Sequence, residues 1–328
     1  MAGAIAAGDL SAALETRPAG AALPPAPAAQ PPAAAAQRLL KFHQLPGWAR
    51  DNELIGGGYR QHPTESFALS ARSIFALHNE TLNIWTHLSG LLAFAGVFAS
   101  LLARARPATG AATTGAASWS AGDYAAWGCF CAGCLACLGF STCFHVLMNH
   151  SEAVHRRTIT LDYVGIVLLI WGSHIVATHF LFWCDSRMQA VLMAAITAFG
   201  AAVITTMLVP RFMGPRYRVF RAALFASMGA SGIFPIGLFA ARHAGCAECQ
   251  HVAALFFGML GAYAVGVVAY ALRFPECVLR QPGRLDVFGG SHQWLHVAVL
   301  GGCALHYEAA AAAMARVHGA GFACAAAD

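Results

Sequence analysis

The chain has 328 residues, of which 58% are hydrophobic and only 11% charged, with a formal net charge of +5 and a mean hydropathy of +0.57. Average soluble domains carry about 25% charged residues, so this composition excludes an ordinary water-exposed fold and makes a bilayer the natural solvent. The basic residues are not clustered as a nucleic-acid-binding face requires, which sets that class aside.

In chain order, residues 18–37 form the first run free of Asp, Glu, Lys and Arg. Its prolines and lack of large apolar side chains mark it as part of a disordered Ala/Pro-rich tail over residues 1–40, not a span. No secretory signal is visible there, and Asp9 and Glu15 with a single Arg17 speak against a transit peptide. Residues 41–80 are expected to form a cytoplasmic juxtamembrane segment. Within it, 63–80 places Phe67, Ala71, Ile74 and His78 on one helical face. It reads either as a short amphipathic surface helix or as an irregular linker.

Seven further charge-free runs follow, at 81–103, 124–151, 163–184, 188–210, 222–241, 249–272 and 287–307. Each reaches the roughly 20 apolar residues that a transmembrane helix needs. The fold class is therefore an all-α membrane protein of seven helices over residues 81–315, with a short tail at 316–328. With the N-terminus cytoplasmic, only Arg104, Arg106, Arg187, Arg242 and Arg316 of the 20 Lys and Arg residues fall outside. This bias predicts an inward N-terminus and an outward C-terminus. Which membrane is involved is not encoded in the pattern.

Five of the 11 cysteines, Cys129, Cys131, Cys134, Cys137 and Cys143, lie in the second span and read as small packing residues. Cys246 and Cys249 form an isolated C-x-x-C. Without a second pair it is no zinc ribbon, and it reads as ordinary thiols ahead of a local disulfide.

Ionisable groups at membrane depth are costly and mark candidate sites. Ser141 and His145 are four residues apart at the end of the second span, hence on one face. Asp162 stands at the start of the third charge-free run. His292 and His296, also four apart, open the seventh and share a face suited to gripping one metal ion. Under the predicted orientation all of them lie at similar depth near the cytoplasmic end. Three imidazoles with an open position suit a catalytic zinc ion, with Asp162 holding or deprotonating a water and Ser141 assisting the substrate. The same histidines also suit a polar cavity without metal, and Asp162 alone suits a helix N-terminus favoured by the dipole. His87, His174 and His179 read as hydrogen-bonded packing residues, His306 is ambiguous, and His150 and His155 read as loop residues. Glu80 and Asn83 read as caps of the first span or partners of nearby basic residues. Pro235 reads as a passive kink, and Arg216, Arg218 and Arg221 as a topology anchor.

The stretches LPGWARDNELIGGGYR, SIFALHNETLNIWTHLSG, STCFHVLMNHS, LDYVGI and GRLDVFGGSHQWLHVAVLGGCALHYE resemble the progestin and adipoQ receptor, or haemolysin III-related, family. The likeness is greatest to its adiponectin-receptor and plant heptahelical branch, and spans about residues 45–310. The resemblance implies seven helices with an inward N-terminus and one Zn2+ held by His145, His292 and His296. It also implies an acidic group at Asp162 contacting the zinc-bound water and a serine at Ser141. The set is similar to that of intramembrane hydrolases that include alkaline ceramidases. Three functions follow as expectations: a zinc-dependent lipid amide hydrolase of ceramidase type in lipid signalling, a signalling receptor with purely structural zinc, and a transporter. The last lacks inverted repeats or rings of like charge. Membrane lipids or a small or lipid ligand are the expected partners. The short outer loops offer nothing for a protein hormone.

Overall fold

A computed structural model of the chain describes residues 39–105, 119–279, 283–319 and 322–324. Most of the Ala/Pro-rich tail and part of the C-terminal tail lie outside the described residues. The chain divides after Gln37, and the unit that follows is built from ten α-helices among the described residues. These are α1 (Phe67–Arg72), α2 (Thr81–Ala105), α3 (Ala121–Leu147), α4 (Glu152–Leu181), α5 (Ser186–Met207), α6 (Arg218–Ala230), α7 (Ile233–Arg242), α8 (Ala247–Leu272), α9 (Glu276–Leu279) and α10 (Ser291–Val317).

Among the described residues, seven segments are long and apolar enough to cross a membrane, matching the seven charge-free runs. Their outer surface is apolar as lipid requires: Leu92 is 66%, Phe234 64% and Val265 70% exposed. Local capping sets where they begin. Ser120 and Asp123 form a reciprocal capping box at α3, Ser151 accepts from Val154 at α4, and Asp185 accepts from Met188 at α5. The spans follow one another around a ring that closes where α10 packs on α2, with α4 also reaching α10. The closest pairs are α3 with α4 and α8 with α10. Small residues make the first of these contacts: a Cβ at Gly133 or Gly172 would collide with the carbonyl of Leu168 or Cys129.

Several expectations are corrected. Helix α4 starts at Glu152, so Asp162 lies ten residues inside it, about 15 Å from its first residue. The helix-dipole explanation of Asp162 therefore fails, and His155 belongs to the first turns of α4, not to a loop. A charge-free criterion clips this helix because Glu152, Arg156 and Arg157 occupy its exposed entry. The 63–80 segment is helical only over Phe67–Arg72 with a 3-10 turn at Ser73–Phe75. Its serines Ser70 and Ser73 and His78 are buried while Phe67, Phe75 and Leu77 are exposed, because Ser73 and His78 are consumed by hydrogen bonds within the cap. The fifth span is two helices, broken at Ser231–Gly232. The break falls four residues before Pro235, where a proline ring clashes with the preceding turn. Cys246 and Cys249 are joined as a disulfide where free thiols were expected. A second disulfide, Cys184–Cys324, links residues 140 apart in sequence. Both lie at the end of the bundle opposite the histidines.

Residues 39–80 fold over the histidine end. Leu40 and Tyr59 form an antiparallel bridge, and Leu45, Ala49 and Tyr59 make a small core of their own. Gly56 N–H donates to Asp286 at 2.9 Å, and Asn52 donates to Glu276 at 3.2 Å. Both bonds tie this segment to the α8–α10 connection.

Candidate metal centre

The antiparallel turn between α3 and α4 and the start of α10 bring the three histidines together. One ring nitrogen from each of His145, His292 and His296 lies within 4.8 Å of the others. The Nε2 atoms of His145 and His292 are 3.2 Å apart. Two imidazole nitrogens bound tetrahedrally to one ion at about 2.0–2.1 Å would be separated by roughly this distance.

Neighbouring groups set the ring orientations. Nδ1 of His145 is 2.8 Å from Glu80 Oε2, and Nδ1 of His296 is 3.1 Å from the Asn83 carbonyl and 3.2 Å from Thr86 Oγ1. A carboxylate and a carbonyl only accept, so both imidazoles carry their proton on Nδ1 and present a bare Nε2 to the centre. Glu80 accepts from Asn83 as well, at 2.6 Å, and from Asn79 at 3.1 Å. Burial pushes its carboxyl up, but the hydrogen bond from His145, that from Asn83 and the nearby Arg60 hold it below the usual carboxylate range. Glu80 thus grips a site histidine and is not merely a helix cap. Arg60 is 2% exposed; it donates to the carbonyls of His145 and Val146 and to Ser73, which clamps the C-terminal end of α3. Burial lowers its guanidinium to about 10, against the opposing pull of Glu80, so it stays charged at neutral pH. Glu276, 3% exposed, accepts from the Ser291 N–H at 2.9 Å and its hydroxyl at 2.8 Å, which fixes the first turn of α10 beside His292.

Asp162 and Ser141 are both buried, 8% and 2% exposed. Together with His87, His292 and His296 they line one end of a cavity of about 400 Å³. From there the cavity runs along α4 between apolar side chains as far as Leu181. The stack of His87 on His296, 3.6 Å between centroids at 10°, leaves both His87 nitrogens buried without a hydrogen-bond partner. The structure therefore brings together all five residues singled out in the sequence. It places His179 elsewhere, paired with Asp123 at 2.9 Å. His174 is held by the Ile170 carbonyl at 2.8 Å, and His155 packs edge-on against Trp48. Sequence reasoning missed the supporting roles of Glu80, Asn83, Thr86 and His87. Their spacing of three and four residues on one face of α2 was an available signal.

Three imidazole nitrogens, two of them oriented by the acceptors at Nδ1, suit a borderline cation such as Zn2+. They can hold a metal ion, and an adjacent carboxylate and hydroxyl face the space beside it.

Comparison with known proteins identifies the family of the chain. The haemolysin-III-related family matches residues 75–307. An adiponectin receptor protein of Drosophila melanogaster is 34% identical over 272 residues, covering 83% of this chain and 58% of its own length. The heptahelical transmembrane protein ADIPOR1 of Oryza sativa subsp. japonica is 34% identical, covering 83% of each. The ADIPOR-like receptor IZH2 of Saccharomyces cerevisiae is 34% identical, with 80% of each covered. The chain thus spans little more than half the length of the fly protein but most of the rice and yeast ones. Matches of this length, over the seven helices and the histidine cluster they frame, establish that the chain belongs to the haemolysin-III-related family of seven-helix integral membrane proteins.

Proposed function

We propose that this chain is an adiponectin-receptor-like membrane protein that binds one Zn2+ at His145, His292 and His296 and hydrolyses a lipid amide of the ceramide class. The carrying observation is the junction of the three-histidine cluster, Asp162 and Ser141 with a predominantly apolar cavity. A bound Zn2+ supplies carbonyl polarisation and lowers the pKa of water towards ~7. The apolar walls take the acyl chain and exclude bulk water. Asp162 accepts the proton of the attacking water as the new C–O bond forms, then returns it to the amine nitrogen as the C–N bond breaks. The products are a fatty acid and a free amine. Ser141, which lines the same cavity as Asp162, assists the substrate beside that carboxylate.

The histidine end is assigned to the cytoplasm, as the Lys and Arg bias requires. The two disulfides at the opposite end support this, since such bonds persist in oxidising compartments. The membrane lipid itself is the partner this reading requires.

The test combines metal analysis with ceramide turnover by the purified chain. Wild type should contain zinc and release fatty acid, His145→Ala should lose both, and Asp162→Asn should keep zinc but lose turnover. Normal turnover by His292→Ala with demonstrated zinc loss would sink the proposal. A second reading is a signalling receptor in which the ion is purely structural. It is favoured by the way the cluster ties α3 to α10, with Glu80 and Asn83 reaching it from the start of α2, and by the receptor names of the relatives. Under that reading Asp162→Asn leaves zinc and signalling intact, and no hydrolysis is found in wild type.

A further inference from the structure

The cavity has a second polar region, well separated from the histidine cluster. Ser173 lies eleven residues beyond Asp162 on α4, and His306 ten residues beyond His296 on α10. Both are therefore about 15 Å farther along the bundle. Both line the same cavity, and they are 6% and 1% exposed. The Ser173 hydroxyl and the His306 Nε2 are each buried without a hydrogen-bond partner, and the His306 ring lies beside the Ser173 backbone. Unpaired groups of this kind are costly to bury, and polar atoms at membrane depth mark function by default. The fifth span breaks at the same level, since a Cβ on Gly232 would lie 3.2 Å from His174 Nε2. His174 is already engaged by the Ile170 carbonyl and by Ser231, at 2.8 and 3.2 Å. It is therefore Ser173 and His306 that are left open.

The chemistry of the pair defines what it can receive. The His306 ring lies between Phe130 and Phe256, 4.7 and 5.3 Å between centroids, and its Nδ1 is 3.0 Å from Met259 Sδ. A thioether has no proton to give, so Nδ1 is the donor and Nε2 is left as an acceptor. Ser173 offers both a donor and an acceptor. A hydroxyl complements the pair: its proton goes to His306 Nε2, and its oxygen accepts from Ser173. A ketone satisfies only Ser173, and a methylene satisfies neither.

We propose that Ser173 and His306 form a second subsite that receives a hydroxyl carried on the hydrocarbon chain of the lipid in this cavity. This rests on the reading above that the cavity holds a lipid with its polar end at the histidines. A chain anchored there, advancing ~1.3 Å per C–C bond of ~1.5 Å, passes the subsite at about its twelfth carbon. The preferred ligand class is thus a mid-chain hydroxylated lipid.

The test uses the purified full chain, loaded with zinc, and displacement of a fluorescent fatty acid by stearate, 12-oxostearate and 12-hydroxystearate. Wild type should bind the hydroxy acid about tenfold tighter than stearate, with the oxo acid between them. Ser173→Ala and His306→Leu should each shrink that ratio, and the double variant should bring it to about one. The wild-type series needs no variant to fold, and Ser173→Val offers a second probe of the serine alone. Equal wild-type affinities, as expected if a resident water fills the subsite, overturn the proposal. So does a preference that survives the double variant. Failure of all three acids to bind overturns the lipid reading of the cavity along with it. Absent ceramide turnover with the hydroxyl preference intact counts against hydrolysis only.

Discussion

Replacing Glu80 probes the proposed metal centre without touching any of its three histidines. Its Oε2 accepts from His145 Nδ1 at 2.8 Å and from Asn83 at 2.6 Å, and its Oε1 accepts from Asn79 at 3.1 Å. Glu80→Gln retains one acceptor oxygen, which can still hold His145 and Asn83, while the new NH2 faces Asn79, whose donating amide has to flip and present its oxygen instead. The variant loses the negative charge, and hydrogen bonds to charged groups are roughly twice as strong as neutral ones. The loss amounts to about 1.4 kcal/mol, or tenfold in zinc affinity. Glu80→Ala removes the acceptor, frees the imidazole tautomer and should approach the hundredfold limit for such supporting groups. Competition between the purified variants and a chelator of known affinity measures both, with helicity as the control for folding. The order expected is wild type, Glu80→Gln, Glu80→Ala, then His145→Ala with no measurable site. Unchanged zinc affinity in both Glu80 variants, alongside loss in His145→Ala, would refute the claim that Glu80 sets the ligand's orientation.

Three further outcomes follow from the geometry. Gly172→Val drives a side chain into the backbone of α3 at Cys129 and should destabilise by about 3 kcal/mol; Gly96→Ala, with open space around it, should be neutral or slightly stabilising in the same melting experiment. Denatured without reductant, the chain should take up alkylating label on Cys129, Cys131, Cys134, Cys137, Cys143 and Cys303, leaving those of the two disulfides unlabelled until reduced. Label on Cys184 or Cys324 before reduction would show that link to be absent. Acidification should loosen the segment over the histidine end, because burial lowers His62 and His78 to about 4 from about 6.5 when unfolded. Between those values the unfolded segment binds protons that the folded one does not. Its stability is therefore fully present above about pH 6.5 and falls as pH drops towards 4. Hydrogen exchange over residues 59–80 reads this directly, and protection independent of pH in that window would contradict it.

The sequence alone determined the solvent and the count of helices, because a span must carry some 20 apolar residues without charge and this chain does so seven times. It also marked His145, His292, His296, Asp162 and Ser141, since a polar group at membrane depth stands out against an apolar background and helical spacing groups its neighbours. Where charged residues occupy a helix's exposed entry the same criterion misplaced the boundary, as at Glu152–Arg157, and so misjudged how deep Asp162 lies. Only the tertiary structure decided who meets whom. Glu80 and His145 are 65 residues apart, Asn52 and Glu276 are 224, and Cys184 finds Cys324 across 140. No local periodicity encodes such pairings; they follow from how the seven helices close into a ring. The same closure brings Ser173 and His306, from α4 and α10, to the lining of one cavity, a juxtaposition that neither residue's local sequence encodes.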